Sequence, residues 1–455
     1  MYDLIVLGGG PAGYLGAERA GHAGLNTLLI ESRALGGVCL NEGCIPSKAL
    51  LYSAKVFDNA RHGEAYGVHT SDIALNHGEV ITRKNKVVKT LTAGVRKTLT
   101  DCGVQIVQGV GYISGREPDG SFRVAVNSET CAGRRLLVAT GSEPVLPPIP
   151  GLQDSLKSGL AMTNREILDL PSVPEKLVIV GGGVIGLEMA GYYAAAGAKV
   201  TVVEMLGFIG GPIDSDISAI LQKNLAAKGI IFELNARVVS IGAEVVFERD
   251  GKQTAVPADK VLVSIGRRPV VSGFGAENIG LDAGSKRIIT DRHMQTGIPN
   301  VYAAGDVTGE VMLAHVAYRQ SEAAVSHMLG KRGAMRYDVI PSVIYTSPEV
   351  CSIGETERGA REKGLDIEAV KLPMNFSGRY LAENQKGDGI CKLIADRRSR
   401  RILGFHMIGS YASEIAMSAA VMMDACVTVD RAKTMIFPHP TVGEIIREAL
   451  FALSN

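Results

Sequence analysis

The residues with the clearest chemical potential are two cysteines near the N-terminus, Cys39 and Cys44, with four residues between them. Half of a zinc site would need a second Cys or His pair with ligand spacing, which the sequence lacks. A structural disulfide is disfavoured because seven cysteines in 455 residues are too sparse for a secreted disulfide framework. Two buried thiols stay open as an alternative. A redox dithiol fits better, because a short loop permits reversible closure and a helix N-terminus can hold one thiol as thiolate.

Two further side chains could assist such a dithiol. Lys48 lies one helical turn after Cys44, where its charge could stabilise a thiolate, although it could equally be a surface lysine. His439 stands between two prolines, which exclude a regular helix and fix the backbone there. Imidazole exchanges protons near neutral pH, and a carboxylate such as Glu444 can orient it. A lone histidine is more often structural, but together with the cysteine pair it favours an acid–base.

Two glycine-rich segments occur in the same local order. The apolar run 4–7, the glycine segment 8–13, a small-residue helix and an apolar strand ending in Glu31 come first. The second copy begins at Gly181 and ends at Glu204, and in both copies the acid lies 18 residues after the last glycine. This is the full dinucleotide fingerprint, in which glycines admit a pyrophosphate and the helix N-terminus supplies N–H groups. The expected contacts are Gly8, Gly10 and Gly13 in the first copy and Gly181, Gly183 and Gly186 in the second.

Two such units in one chain imply two dinucleotides, and a flavin with a nicotinamide is the natural pair for electron transfer. The Glu204 carboxylate would repel a 2′-phosphate, and residues 205–213 contain no Arg or Lys. We therefore expect NAD rather than NADP. Asp306 follows an apolar strand and could present its carboxylate to a polyol hydroxyl.

These patterns predict an α/β fold with two Rossmann-like dinucleotide-binding domains and a separate C-terminal α+β domain. Residues 104–127 predict a small antiparallel excursion, and helices are expected at 412–427 and from about 442 to 453. A net charge of +1 argues against a broad hold on nucleic acid. No apolar run reaches 18 residues, so no membrane span is expected, and the N-terminus lacks signal-peptide features, which favours the cytoplasm.

Together the motifs resemble the pyridine nucleotide–disulfide oxidoreductase family over essentially the whole chain. The most specific segment is CLNEGCIPSK at 39–48, typical of the branch that oxidises dihydrolipoamide. The resemblance implies a homodimer, because the family's catalytic histidine comes from the other subunit. It also implies an FAD-binding domain at 1–145, an NAD-binding domain at 146–270, a central domain at 271–340 that completes the FAD site, and an interface domain at 341–455.

The resemblance also implies roles for single residues. Cys39 would be the interchange thiol that meets the substrate, and Cys44 the charge-transfer thiol beside the flavin. His439 would be the acid–base with Glu444 as its partner. Lys48 would lie by the flavin, paired with Glu188. FAD would be bound by Glu31, Gly111, Asp306, Met312, Ala314 and His315, and NAD by Glu204, Val238 and Gly266.

The implied reaction is oxidation of protein-bound dihydrolipoamide by NAD through FAD. The partner would be a lipoyl-bearing protein of a 2-oxo acid or acetoin dehydrogenase complex or of the glycine cleavage system. The alternatives are a related NAD(P)H-dependent flavin disulfide reductase with another disulfide substrate, and a flavin-binding subunit without turnover. One segment, 316–321, departs from the family pattern AHxAxxEG. The remaining cysteines, at 102, 131, 351, 391 and 426, are interpreted as core thiols.

Overall fold

The computed structural model describes residues 1–281, 286–384 and 388–454. Its contacts divide the chain into two compact units, each built from three separated segments. The first unit contains Met1–Ala49, Ile81–Val145 and Gly266–Arg336, and the second contains Leu50–Val80, Leu146–Ile265 and Tyr337–Asn455. The division into four domains stays a prediction.

The helices follow in chain order: α1 (Pro11–His22), α2 (Gly37–Glu42), α3 (Cys44–Arg61), α4 (His77–Asp101), α5 (Leu152–Ser158), α6 (Val184–Ala195), α7 (Ser215–Ala227), α8 (Ala314–Met328), α9 (Glu357–Glu362), α10 (Gly378–Glu383), α11 (Ala412–Asp424), α12 (Val429–Lys433) and α13 (Ile445–Ala452).

The strands are β1 (Leu4–Leu7), β2 (Thr27–Glu31), β3 (Gln105–Gln108), β4 (Tyr112–Arg116), β5 (Phe122–Val126), β6 (Glu129–Gly133), β7 (Leu136–Val138), β8 (Ser142–Pro144), β9 (Ala161–Met162), β10 (Lys176–Val180), β11 (Lys199–Val203), β12 (Ile231–Glu233), β13 (Arg237–Ile241), β14 (Glu244–Arg249), β15 (Lys252–Pro257), β16 (Lys260–Val263), β17 (Arg267–Pro269), β18 (Val301–Ala303), β19 (Ser342–Ile344), β20 (Glu349–Gly354), β21 (Ile367–Pro373), β22 (Ile390–Asp396) and β23 (Ile402–Gly409).

The first unit is organised around a parallel sheet in the order β18-β7-β1-β2-β3. Strands β1 and β2 are buried along their whole length, as expected for a parallel strand covered on both faces. Pro11 opens α1, where its missing N–H costs no helical hydrogen bond. The antiparallel sheet β4-β5-β6 and the ribbon β17-β8 complete this unit.

The second unit repeats the parallel order as β9-β16-β10-β11-β12. The order β7-β1-β2-β3 recurs as β16-β10-β11-β12, which confirms the predicted internal repeat for four strands of each sheet. The fifth strand differs, because β18 follows β7 in the chain whereas β9 precedes β10. The same unit carries the antiparallel sheets β13-β14-β15 and β19-β20-β23-β22-β21. Helices α11 and α13 bury apolar faces in a core cluster with the last of these sheets, which gives the predicted α+β texture after residue 341.

Four expectations need correction. Within 104–127 only the later part is antiparallel, because β3 joins the parallel sheet beside β2. The last helix begins with a 3₁₀ turn at Val442–Glu444, and α11 ends at Asp424. Not all remaining cysteines are core thiols: Cys351 and Cys391 are buried, Cys102 and Cys131 are half-buried, and Cys426, which follows α11 with a φ of +52°, is exposed. Across the described residues, no helix is long and apolar enough to cross a membrane.

Candidate active site

The first glycine loop is closed by contacts that leave no room for side chains at its ends. A Cβ on Gly8 would lie 2.2 Å from the carbonyl oxygen of Ala139, and one on Gly13 would lie 1.7 Å from that of Gly8. A Cβ on Gly10 would meet only the Cα of Gly37, at 3.7 Å. The outer glycines thus permit the tight strand-to-helix turn, and Gly10 leaves the helix N-terminus open to a ligand.

The second glycine loop has the same geometry. A Cβ on Gly181 would lie 2.6 Å from the Ser264 carbonyl oxygen, and one on Gly186 would lie 2.2 Å from the Gly181 carbonyl oxygen. Nothing lies within 4 Å of a Cβ built on Gly183. Both loops therefore combine two glycines needed for packing with one that keeps the backbone accessible.

A substitution at Gly13 tests whether the packing of the first glycine loop requires a residue without a side chain. We expect Gly13→Ala to destabilise the protein by about 3 kcal/mol and to weaken flavin retention, because the new methyl overlaps a backbone carbonyl that cannot move freely. Gly191→Ala, inside α6 with nothing within 4 Å, is the matched control and should be neutral or stabilising. Thermal unfolding and the flavin-to-protein absorbance ratio measure both effects. Equal behaviour of the two variants would contradict the packing argument.

Glu31, the acidic residue of the first copy, accepts hydrogen bonds from the backbone of the first glycine loop. Glu31 Oε2 accepts the N–H of Gly9 at 2.6 Å, and Oε1 accepts the N–H of Arg33 at 2.6 Å. A carboxylate oxygen can accept more than one hydrogen bond, so capacity for ribose hydroxyls remains. The sequence predicted the ribose role, which stays a prediction, and missed the structural one.

The acid of the second copy is held in the same way. Glu204 Oε2 accepts the N–H of Gly182 at 2.6 Å, and Oε1 accepts that of Leu206 at 2.7 Å. The following loop, 205–213, exposes the apolar side chains of Met205 and Phe208. This loop presents no cation of its own to a 2′-phosphate, in keeping with the expected preference for NAD.

The two cysteines lie on consecutive helices. Cys39 belongs to the short helix α2, and Cys44 is the first residue of α3, where helix N–H groups favour a thiolate. Both are half-buried thiols. A hydrogen bond with Cys44, together with burial, raises the pKa of the Cys39 thiol, and the Lys48 ammonium opposes that shift only in part.

Two tyrosines near the dithiol were missed by the sequence reasoning. The hydroxyls of Tyr14, in α1, and Tyr318, in α8, share a hydrogen bond, and their rings meet edge-to-face with centroids 5.9 Å apart. Burial, the bond to Tyr318 and the proximity of both cysteine sulfurs raise the pKa of Tyr14. Both hydroxyls therefore stay protonated at neutral pH. No sequence signal marks this pair, because its two members are 304 positions apart.

The atypical segment 316–321 contributes polar contacts of its own. Gln320 Oε1 accepts the N–H of Gly305 at 2.7 Å, and Ser321 Oγ donates to the carbonyl of Ala12 at 2.6 Å. Both side chains are completely buried. The segment therefore ties α8 to the loop before the predicted flavin ligand at 306 and to the first turn of α1, although it lacks the acid and glycine of the family pattern.

The carboxylate of Asp306 is held at the start of a 3₁₀ turn, Asp306–Thr308. Its Oδ2 accepts the Ser142 hydroxyl at 2.5 Å, and Ser142 Oγ accepts the Nε–H of Arg267 at 2.8 Å. This chain of bonds fixes the orientation of the carboxylate. The predicted contact with a polyol hydroxyl stays a prediction.

The other predicted cofactor residues lie at ordinary structural positions. A Cβ on Gly111 would lie 2.6 Å from Leu7 Cδ2, the end of a buried side chain of β1 that would have to shift. Glu188 is buried in α6, where Oε1 accepts the N–H of Tyr345 at 3.1 Å, and its pairing with Lys48 stays a prediction. Four further positions have cofactor roles that stay predictions: Met312 before α8, Ala314 and His315 in its first turn, and Val238 in β13. Gly266, after β16, has a φ of +129° and open space around an added Cβ, and its NAD role also stays a prediction.

His439 and Glu444 form the second half of the candidate chemistry. Thr441 Oγ1 accepts the N–H of Glu444 at 3.1 Å and caps the 3₁₀ turn Val442–Glu444. Glu444 Oε2 lies 2.6 Å from His439 Nδ1. The carboxylate is an acceptor, so Nδ1 carries the proton and Nε2 is left as the basic nitrogen. The His439 side chain is 78% exposed and that of Glu444 only 10%, so a fixed carboxylate orients an accessible imidazole.

Comparison with known families decides the affiliation of the chain. Residues 2–321 match the pyridine nucleotide-disulphide oxidoreductase family, and residues 340–450 match its dimerisation domain. The chain belongs to this family. Members similar to it include the dihydrolipoyl dehydrogenase of Mycoplasma pneumoniae, 37% identical over 99% of both chains. The Bacillus subtilis dihydrolipoyl dehydrogenase is 36% identical over 99% of this chain and 98% of its own length.

Solved structures of the family agree in fold. LpdA of Mycobacterium tuberculosis superposes with a TM-score of 0.90 at 27% identity, over 99% of both chains. The HOCl-induced flavoprotein disulfide reductase RclA of Escherichia coli gives 0.87 at 27% identity, over 100% of both. The predicted α/β class with dinucleotide-binding and interface domains is therefore confirmed, and the dimerisation domain supports a homodimer.

Proposed function

We propose that this chain is a dihydrolipoyl dehydrogenase, which oxidises protein-bound dihydrolipoamide to lipoamide with NAD. The observation that carries the proposal is the dithiol of α2 and α3 inside the segment 39–48, in a chain that matches dihydrolipoyl dehydrogenases over nearly its whole length. The paired imidazole and carboxylate at 439 and 444 supply the acid–base that thiol chemistry requires.

The two glycine loops fit the two dinucleotides that this reaction needs. Gly10 and Gly183 each leave a helix N-terminus open, and Glu31 and Glu204 each retain acceptor capacity beside their loop. We assign FAD to the first loop, since the dithiol follows it directly, and NAD to the second. When bound, FAD carries the electron pair from the dithiol to NAD.

We infer the thiol steps from the roles that the family resemblance gives to the two cysteines. In the oxidised enzyme Cys39 and Cys44 form a disulfide. A substrate thiolate attacks Cys39 Sγ, the Cys39–Cys44 bond breaks, and Cys44 leaves as the thiolate that the start of α3 stabilises. The second substrate thiolate then attacks the substrate sulfur bound to Cys39, which closes lipoamide and releases Cys39. The dithiol has gained two electrons, and the two substrate protons have gone to bases.

His439 is the proposed base for the substrate thiols. Its Nε2 would accept the proton, while its Nδ1–H donates a hydrogen bond to Glu444. We place this imidazole at the dithiol of the partner copy in a homodimer. Its support is the dimerisation domain and an exposed apolar surface in the same segment of chain. That surface includes Met417 and Val421 on α11, and Ile436, which is 99% exposed. A second copy of the chain would bury these side chains.

The substrate would be a second protein that carries a lipoyl group, because the proposed reaction oxidises protein-bound dihydrolipoamide. The cytoplasmic location stays a prediction from the sequence.

A reductase of another disulfide is the second candidate, favoured by the similarity to RclA and by the atypical segment 316–321. The deciding experiment is the rate of NAD and NADP reduction by dihydrolipoamide, with flavin content recorded. We expect fast NADH formation and NADP at least about tenfold slower, because the Glu204 carboxylate would repel a 2′-phosphate. Bound FAD without dihydrolipoamide oxidation would transfer the assignment to the second candidate.

A further inference from the structure

A buried lysine far from the dithiol forms an ion cluster that the proposed mechanism does not use. Lys392, in β22, has a side chain that is only 4% exposed. Its Nζ lies 3.0 Å from Asp214 Oδ2, 2.9 Å from Asp216 Oδ2 and 2.8 Å from Glu357 Oε2. We name these four residues the Lys392 cluster. It joins three segments, β22, the start of α9 and the start of α7, within the second unit.

The positive and negative charges in and around the Lys392 cluster balance, and its members stay ionised. Asp216 and Glu357 pair additionally with Lys371 and Arg361. Burial opposes the charged form, but the hydrogen bonds that Lys392 donates to the three carboxylates raise its pKa, and the same bonds lower the pKa of both Asp216 and Glu357. A lysine buried to this extent is costly unless paired in this way, so the cluster holds its three segments at defined positions.

Two of the three carboxylates, Asp214 and Asp216, lie at the end of the loop that follows Glu204. Asp214 caps α7 by accepting the Asp216 N–H at 3.0 Å. One turn further, Ser218 Oγ donates to the Ile209 carbonyl at 2.8 Å. The next residue in the loop, Gly210, donates its N–H to the carbonyl of Gly182 at 2.8 Å.

A continuous path of bonds therefore leads from Lys392 through α7 to the second glycine loop. Lys392 fixes Asp214, α7 positions Ser218, Ser218 holds the loop, and the loop is bonded to Gly182, whose N–H is bonded to Glu204. We propose that Lys392 is a positioning residue for the nicotinamide dinucleotide site, which acts through α7 and the 205–213 loop. The inference rests on the proposed assignment of NAD to this loop.

The test compares Lys392→Met with Lys371→Met in the holoenzyme. Lys371 is the matched control, since it is half exposed and contacts the same Asp216 at 3.3 Å from the neighbouring strand β21. We expect Lys392→Met to raise the KM for NAD and the dissociation constant for NAD by about tenfold, with the KM for dihydrolipoamide unchanged. Lys371→Met should leave all three values at wild-type level.

A second variant covers the case in which Lys392→Met does not fold. Asp214→Asn keeps a capping side chain but removes the charge, and we expect it to weaken NAD binding in the same direction by a smaller factor. A folded Lys392→Met or Asp214→Asn protein with wild-type NAD affinity would overturn the inference, even if its unfolding temperature falls. Calorimetric titration measures the dissociation constant for NAD without any oxidation of dihydrolipoamide, so it does not depend on the proposed substrate. If wild-type protein binds NAD but does not oxidise dihydrolipoamide, the proposed substrate fails and the positioning role is still measured.

Discussion

Replacement of Cys44 by serine should reduce dihydrolipoamide oxidation by about 10³-fold or more, while FAD stays bound. The hydroxyl of serine cannot form the disulfide that accepts the substrate's electrons, and no other thiol of the described chain occupies the first turn of α3. Since the glycine loop and Glu31 are untouched, flavin content should equal that of the wild type. Steady-state rates and the flavin absorbance ratio measure the two quantities.

The control for this experiment is Cys102→Ser. Cys102 is a half-buried thiol in the same unit, with its Sγ 3.2 Å from His22 Nε2, and it has no place in the proposed chemistry. Its replacement should leave turnover within about twofold of wild type.

NADH oxidation by an artificial acceptor that takes electrons directly from the flavin should survive in Cys44→Ser. Full dihydrolipoamide turnover in Cys44→Ser would refute the dithiol mechanism.

Replacement of His439 by glutamine should lower kcat with dihydrolipoamide by about 10²–10⁴-fold, the usual contribution of a positioned acid–base. Glutamine keeps a polar side chain of similar length but cannot accept the substrate proton at neutral pH. Because reduction of the enzyme by NADH requires no proton removal from a substrate thiol, its single-turnover rate should change little. Glu444→Gln should show a smaller loss in the same step, since the imidazole remains but the charged carboxylate 2.6 Å from its Nδ1 is replaced by a neutral amide.

The matched control is His62→Gln. His62 is also an exposed histidine beside a carboxylate, with its Nδ1 3.3 Å from Asp58 Oδ1, and it lies outside the proposed site. A loss of rate in His62→Gln equal to that in His439→Gln would show a general effect of histidine removal. A wild-type rate in His439→Gln would remove this residue from the mechanism and leave the dithiol to be served by another base.

The local elements around both glycine loops could be predicted because their causes are local. An apolar run, a glycine that must adopt positive φ and an acid 18 residues later fix a strand, a turn and a helix with little help from distant residues. The prolines beside His439 act in the same way, since they prevent a helix at that point. The first half of the 104–127 prediction failed because a short half-buried strand such as β3 has the same pattern in a parallel or an antiparallel sheet.

The exposure of single cysteines could not be predicted for a related reason. Cys391 is completely buried in β22, whereas Cys426 is exposed after α11, and nothing in the composition of their neighbours separates the two. Burial depends on which element packs over the residue. Cys426 lies after the end of α11 and has a left-handed backbone, so it is not part of the packed face of that helix.

The sequence by itself determined the family, the two dinucleotide fingerprints, the dithiol and the candidate acid–base, because each depends on residue type at short spacing. Only the tertiary structure decided which distant side chains meet: Tyr14 with Tyr318, Gln320 with Gly305, and Lys392 with Asp214. The last two residues are 178 positions apart, and Lys392 lies between the apolar residues Cys391 and Leu393 of β22. Such pairs are fixed by the packing of whole elements, and a buried charge is tolerated only where that packing brings its partner within bonding distance.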